Sequence, residues 1–308
     1  MYRKKIEDSS LWAWTAAAIS APMAQFLGSV PWHWTLIIGL ATGALWLCTA
    51  AAAARGPGGK LVSALQILWL VFAVSAAASY CGDCWITARS GWGIPFFLLV
   101  LAACAAERGS RSGARCGTVL FWVLAGLFLL LAAFAVPDVK IQWLIPENRG
   151  EGAVAAAVLL LPAAAGLLPR ERGKTPWGWA VGFLLAAGLI SLQTAGVLSP
   201  LVASETNGAF FEMIRGVSIL GVAERFEAVV SASMTLGWFC LLSLLLTVVG
   251  SLAENLREGW GRPAVWVAAL AAFLLMGPAR MVPAWISALG ALLFWCILPL
   301  LRRKRKAA

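Results

Sequence analysis

The sequence predicts an all-α integral membrane protein with about ten transmembrane helices, built as one transmembrane domain over residues 1–308. Hydrophobic residues make up 61% of the chain and charged residues only 12%, whereas a soluble domain carries roughly a quarter charged residues. The apolar runs are long, rich in Ala and Leu and not alternating, so they indicate helices rather than barrel strands. The 17 Trp residues also fit, because indole rings favour the membrane interface.

Ten apolar segments, separated by joints rich in Gly and Pro, are the predicted spans. A helix that crosses the hydrocarbon core needs about 20 residues, and a few of the segments are shorter than that, notably 92–106 and 263–278. The predicted spans one to ten are 11–29, 33–54, 61–86, 92–106, 117–136, 152–168, 177–200, 222–252, 263–278 and 281–301.

The basic residues test this span count independently. If the N-terminus lies inside and the spans alternate, 18 of the 24 Lys and Arg residues fall on inner segments. The six on outer segments are Arg89, Lys140, Arg149, Arg215, Arg225 and Arg280. Positive residues concentrate on the cytoplasmic side of membrane proteins, so both termini are predicted to be cytoplasmic. The net charge of +10 then indicates contact with anionic lipid, and nucleic acid is not an expected partner.

The segment at residues 201–221 differs from the spans. It mixes polar and charged residues with Phe210 and Ile214, which predicts a short amphipathic helix on the outer face. Glu212 and Arg215 are three residues apart, so they can pair on one helical face.

Charged residues also open the predicted span eight: Glu224, Arg225 and Glu227. An unpaired charge inside the membrane costs a few kcal/mol, and the cost falls towards the interface. One interpretation is therefore an interfacial ion pair. The other is a gate or a partner contact at the outer mouth, formed together with Glu212 and Arg215.

A ligand site is expected where two spans are interrupted. Many transporters repeat five helices in inverted orientation and bind substrate between two broken helices. Here the half-repeats would be about 11–136 and 152–301, and the first span of each contains a proline in mid-span, Pro22 and Pro162. Proline removes a backbone donor, and exposed half-helix ends can bind a carboxylate or an ammonium group. The alternative is that both prolines only kink their helices.

The predicted pocket combines these two breaks with polar or aromatic faces of spans three and eight. Its residues lie at the two proline interruptions, or they repeat every three or four residues along one face of span three or span eight. They are Ser20, Ala21, Pro22, Phe72, Ser75, Leu161, Pro162, Ala163, Ser231, Thr235 and Trp238. For any single hydroxyl, the simpler interpretation is a hydrogen bond between helices.

Catalytic and cofactor motifs are absent from the sequence. Cys81 and Cys84 form a Cys-x-x-Cys pair, but a metal site would need two further ligands and His33 is the only histidine. There is no glycine-rich phosphate loop and no set of residues for a catalytic triad. We therefore expect no metal, no cofactor and no enzymatic activity.

Residues 210–246 resemble the spore-germination permease family, which comprises the B subunits of nutrient germinant receptors and is related to amino-acid permeases. The likeness rests on an acidic residue and an Arg on a short helix, a Ser-Ile pair, a Glu-Arg pair that opens a helix, and a downstream Trp. In this sequence these are Glu212, Arg215, Ser218-Ile219, Glu224-Arg225 and Trp238.

The resemblance implies a ten-helix LeuT-type fold with helices one and six broken, in the inner membrane of a bacterial spore. It implies a subunit that senses a small nutrient, an amino acid being expected, with the A and C receptor subunits as partners. Two alternatives stay open: an ion-coupled amino-acid transporter, and a structural membrane subunit without a ligand.

The charge distribution leads to a test of topology. In a background without the seven native cysteines, single cysteines at Ser112, Thr175 and Ala308 should react only with reagents applied from the cytoplasmic side. Cysteines at Ser29 and Asn148 should react only from the opposite side. Labelling of position 112 or 175 from outside would rule out the ten-span arrangement.

Overall fold

The structure is a computed structural model that describes residues 5–53, 59–83, 92–144, 152–171, 176–206, 208–216 and 226–298. Within these ranges the chain is almost entirely helical, and its β contacts are limited to one parallel bridge between Ile6 and Arg170. The predicted all-α class is confirmed.

The first half of the chain forms five helices, one for each predicted span. They are α1 (Asp8–Phe26), α2 (Trp32–Ala53), α3 (Lys60–Asp83), α4 (Gly93–Glu107) and α5 (Ser110–Ala135). The largest difference from the predicted bounds is at α5, which begins well before residue 117. Its first two turns carry Arg111 and Arg115, so a polar helical extension precedes the apolar run.

The second half contains more helices than predicted spans. It comprises α6 (Gly152–Leu160), α7 (Trp177–Leu198), α8 (Pro200–Glu205), α9 (Ala209–Gly216), α10 (Phe226–Leu256), α11 (Gly261–Leu274), α12 (Met276–Met281) and α13 (Ala284–Leu292). α6 continues as a 3₁₀ segment over Leu161–Leu167, and α13 continues as a π-helical turn over Leu293–Ile297. Instead of one amphipathic helix at residues 201–221, two short helices, α8 and α9, are present because Thr206 is extended between them.

Length and composition identify the membrane-facing part of the protein. Five described helices, α2, α3, α5, α7 and α10, are long and apolar enough to cross a bilayer. Four shorter apolar helical stretches accompany them, at α4, α6 with its 3₁₀ continuation, α11 and α13. The prediction of a helical membrane protein is therefore confirmed.

The two predicted interruptions have different outcomes. The predicted break in span one is wrong, because α1 continues as one α-helix through Pro22. A proline deprives the helix of one hydrogen bond, and the surrounding helices hold α1 on both sides of that gap. In span six the regular α-helix does end at Leu160, and Pro162 lies at the start of the 3₁₀ segment.

α10 is the central helix of the bundle. In its most apolar stretch 89% of the residues are buried inside the protein, compared with 17% for α5. A helix that is hydrophobic all round has no face for solvent, so it is surrounded by other helices. α10 contacts α1, α3, α4, α5 and α11, whereas most of α5 faces outward.

Four helix contacts made by the first half have a counterpart made by the second half of the chain. α1 packs on α5 as α6 packs on α13, and α4 packs on α10 as α11 packs on α3. α3 packs on α4 as α10 packs on α11, and α1 contacts α7 as α6 contacts α2. Here α6, α7, α10, α11 and α13 are the helices of spans six to ten. In each comparison, the second contact is made by the two helices that lie five spans further along, with span one following span ten.

α1 is fixed against α5 by a tryptophan in a glycine notch. Gly113 and Gly117 lie one turn apart on α5, and the Trp14 side chain fills the space above both. A Cβ atom at Gly113 would lie 2.5 Å from Cη2 of Trp14, and one at Gly117 would overlap the start of the same side chain. Small residues at these two positions therefore allow the close approach of the helices.

This notch leads to a paired stability test. Gly117→Ala should lower the free energy of unfolding by about 1–3 kcal/mol, because the new methyl group overpacks against Trp14. Gly126→Ala is the matched control: it lies on the same helix, and an added Cβ would meet nothing within 4 Å. Both changes have the same effect on helix propensity, so the difference between the two melting curves isolates the packing cost. Equal stability of the two variants would contradict the notch.

Candidate ligand site around the first helix

The turn of α1 that contains Pro22 packs directly on the backbone of α10. A Cβ atom at Gly237 would lie 2.7 Å from Cβ of Ala21 and 2.8 Å from Oγ of Ser20, which is closer than real Cβ atoms come. Glycine is required there for the two helices to touch. Ser20, Ala21 and Pro22 are all buried. We call this contact the α1–α10 seam, and it is closed in this structure.

The polar groups at the seam are satisfied within α1. The hydroxyl group of Ser20 donates a hydrogen bond to the carbonyl oxygen of Ala17, at 2.7 Å. This is a local bond of the kind that serine makes to the preceding turn of its own helix. The hydroxyl oxygen faces Gly237 of α10, but its hydrogen bond stays within α1.

The predicted site residues of span six lie in the same core. Leu161, Pro162 and Ala163 are buried in the 3₁₀ segment, which contacts α1, α2 and α10. Further along this segment, a Cβ atom at Gly166 would lie 2.7 Å from Oγ1 of Thr49 on α2. The interrupted helix is therefore packed tightly.

The α3 side of the predicted pocket is also filled. Phe72 and Leu161 line a void of only about 10 Å³, bordered by Trp69. That volume is at the lower limit for a single water molecule. Ser75 is fully buried, and its hydroxyl group has no hydrogen-bond partner among the described residues.

The α10 residues of the predicted pocket divide into two groups. Ser231 and Thr235 are half-buried, and the hydroxyl group of Thr235 donates to the carbonyl oxygen of Ser231 at 2.8 Å. Trp238 is fully buried beside Gly237. The structure thus brings Ser20 and Ala21 next to Gly237, and Phe72 next to Leu161, without one continuous cavity between them. The assignment of these residues to a ligand site stays a prediction.

The predicted gating residues are described only in part. Glu212 is half-buried on α9, and Arg215 lies on the same helix. Glu227 lies in the first turn of α10, whereas Glu224 and Arg225 are outside the described residues, as is Cys84. Their predicted roles therefore stay predictions.

A large cavity lies on the other side of α1. It has a volume of about 610 Å³ and is bounded by α1, α5, α7 and α9. Of the residues predicted for the ligand site, only Ser20 lines it. One sequence signal could have located it: Gly178, Gly182 and Ala186 recur every four residues and leave a shallow face on α7.

A polar tie fastens the start of α1 to the chain that follows the 3₁₀ segment. The amide of Ile6 donates to the carbonyl oxygen of Pro169 at 3.0 Å, and the amide of Glu171 donates to the carbonyl oxygen of Ile6 at 2.9 Å. The guanidinium group of Arg170 donates to the carbonyl oxygen of Ala50 at 2.7 Å, in the last turn of α2. A cation is favourable at this end of a helix dipole.

The electrostatics of this tie centre on Arg170. Burial lowers the pKa of Arg170 from its ordinary value, and the negative charge of Asp8 offsets part of that decrease. The guanidinium carbon lies 5.6 Å from the ring centroid of Trp12, which itself stacks on Trp46 at 5.9 Å. The tie therefore joins α1, α2 and the end of span six at one point.

Comparison with known proteins adds no assignment. The sequence matches no protein-family model and no curated protein. Among the described residues, no group of three His, Cys, Asp or Glu side chains is arranged to hold a metal ion. The site must be interpreted from its own geometry.

Proposed function

We propose that this chain is the permease-like membrane subunit of a spore nutrient germinant receptor. It senses a small nutrient, an amino acid being the expected ligand, in the spore inner membrane, and it works with the A and C receptor subunits. Both termini lie in the cytoplasm. The resemblance of residues 210–246 to the germination permeases supports this proposal, as does the packing of the described helices.

The resemblance of residues 210–246 carries the proposed function, and the repeated helix contacts support the fold that it implies. Spans 1–5, 4–8, 3–4 and 1–7 are in contact. The matching contacts five spans further along are 6–10, 9–3, 8–9 and 6–2, with span one following span ten. Two similar five-helix halves produce such recurring contacts, whereas the α1–α10 contact has no counterpart of similar extent between α6 and α3. The recurring contacts support ten spans and the 5+5 inverted repeat of LeuT-type transporters.

The closed seam determines how a nutrient would act. The interrupted span six, α1 and α10 meet at the predicted pocket, but the seam residues fill it. A nutrient that binds there must favour a second conformation, in which α1 moves away from Gly237. Such a movement changes the surface that partner subunits contact, which is what a receptor requires.

Filling the predicted pocket from α1 or from the 3₁₀ segment tests this proposal. Ala21→Leu and Ala163→Leu should abolish the germination response of spores to an amino-acid mixture while the protein stays inserted and folded. Each adds volume to a fully buried position, and overpacking costs about 1–3 kcal/mol, enough to remove weak ligand binding. Ala133→Leu is the matched control, because Ala133 is exposed on α5. The response is measured as nutrient-induced spore germination.

The contrary outcomes separate the alternatives. If spores with Ala21→Leu and spores with Ala163→Leu both germinate normally, the nutrient does not bind at the predicted pocket. Concentrative uptake of an amino acid by vesicles containing only this protein would favour an ion-coupled transporter. Lack of both binding and uptake, with normal assembly beside the A and C subunits, would favour a structural subunit.

A further inference from the structure

The cavity beside α1 is a long slot that runs along the helices. Its lining extends from Phe121 to Ala132 on α5 and from Gly178 to Gln193 on α7. At the helical rise these stretches measure about 16 Å and about 22 Å. Half of the hydrocarbon core of a bilayer is roughly 15 Å thick. The slot therefore matches one membrane leaflet in length.

The lining of the slot is hydrocarbon. Besides the Trp179 indole, the lining side chains with hydrogen-bonding groups are Ser20 and Gln193. The Ser20 hydroxyl already donates to Ala17, and the Gln193 amide nitrogen donates to the carbonyl oxygen of Ala132 at 2.9 Å. A zwitterionic amino acid would lose its hydration there without compensation, whereas an alkyl chain loses none.

The mouth of the slot opens on the membrane-facing side of the bundle. Leu129 on α5 and Leu189 on α7 line the slot, and they are 66% and 41% exposed. Both helices belong to the bilayer-crossing group, and most of α5 faces outward. What reaches this mouth in a membrane is therefore lipid.

Basic residues precede the slot on α5, where Arg115 lies six residues, about 9 Å at the helical rise, before the first lining residue, Phe121. Arg111 is five helical turns before Leu129, so it lies on the same side of α5, and Arg115 follows one turn later. Arg115 is exposed, and Arg111 lies 3.8 Å from Glu171 in a half-exposed ion pair. Lys and Arg near the membrane surface attract anionic headgroups.

We propose that this slot binds one acyl chain of an anionic phospholipid, with the headgroup beside Arg115 and Arg111. The chain packs against Met23 of α1 and reaches Ser20, which also lies at the α1–α10 seam. The bound lipid thus supports the helix that must move when a nutrient binds. The slot and the predicted nutrient pocket share Ser20, but lipid binding in the slot does not require that a nutrient binds at the seam.

Two glycines of α7 allow the slot to be filled without a clash. A Cβ atom at Gly178 or Gly182 would meet nothing within 4 Å, and both residues line the slot. Gly182→Phe and Gly178→Phe therefore place a ring in the space of the acyl chain. Gly126→Phe is the matched control, because Gly126 has the same open surroundings and is not part of the lining.

The measurement is the number of phospholipids retained by the purified full-length protein in native mass spectrometry. Phosphatidylglycerol and phosphatidylcholine with identical chains are offered in competition. The wild type and Gly126→Phe should retain one phosphatidylglycerol, and Gly182→Phe and Gly178→Phe should retain it at least tenfold more weakly. Arg115→Gln should reduce the preference for phosphatidylglycerol at least threefold, while one phospholipid is still retained.

Two results would overturn the proposal. They are equal retention by the wild type and both phenylalanine variants, and a wild-type preference for phosphatidylcholine. Thermal melting curves are recorded for all variants, so that loss of lipid is counted only when the protein is folded. Because bound lipid is measured directly, the result holds whether or not the seam binds a nutrient.

Discussion

The structure depends on the close contact between α1 and α10 at Gly237. Only a residue without a side chain allows Ser20 and Ala21 to approach the backbone of α10 this closely. That contact holds α1 in the core, where Trp14 reaches the glycine notch of α5, and it fills the space in which a nutrient is expected. The fold and the resting state of the proposed sensor therefore have a common physical cause.

The bilayer explains how polar side chains are used around this contact. Many short hydroxyl groups bond to their own helix, as Thr15 does to Leu11 at 2.8 Å, whereas Ser191 on α7 donates to Val30 at 2.9 Å. Longer amides reach across helices, as Gln25 does to Tyr80 at 3.2 Å and Gln66 to Phe294 at 2.9 Å. In lipid such bonds stabilise helix pairs that no hydrophobic effect would bring together. The glutamines therefore join α1 to α3, and α3 to the end of the last predicted span.

Much of the fold could be predicted, because long apolar runs leave the backbone little choice but a helix in a membrane. What failed depends on packing, which composition does not record. Pro22 indicates a lost hydrogen bond, but neighbouring helices decide whether the chain breaks, and α1 continues. The cavity was missed because Gly178 and Gly182 create space only where no neighbouring side chain enters. The Arg170 tie joins residues far apart in sequence, so no local pattern indicates it.

Accessibility at the seam tests the central claim most directly. In a protein without its native cysteines, Ala21→Cys is treated with a small thiol reagent in detergent, with and without an amino-acid mixture. Ala21 is fully buried against Gly237, so position 21 should be protected in the resting protein and should react when nutrient opens the seam. Ala133→Cys, on the exposed face of α5, is the control and should react at the same rate under both conditions. Rapid labelling of position 21 at rest, or no increase in its labelling with nutrient, would contradict a seam that is closed at rest and opens on binding.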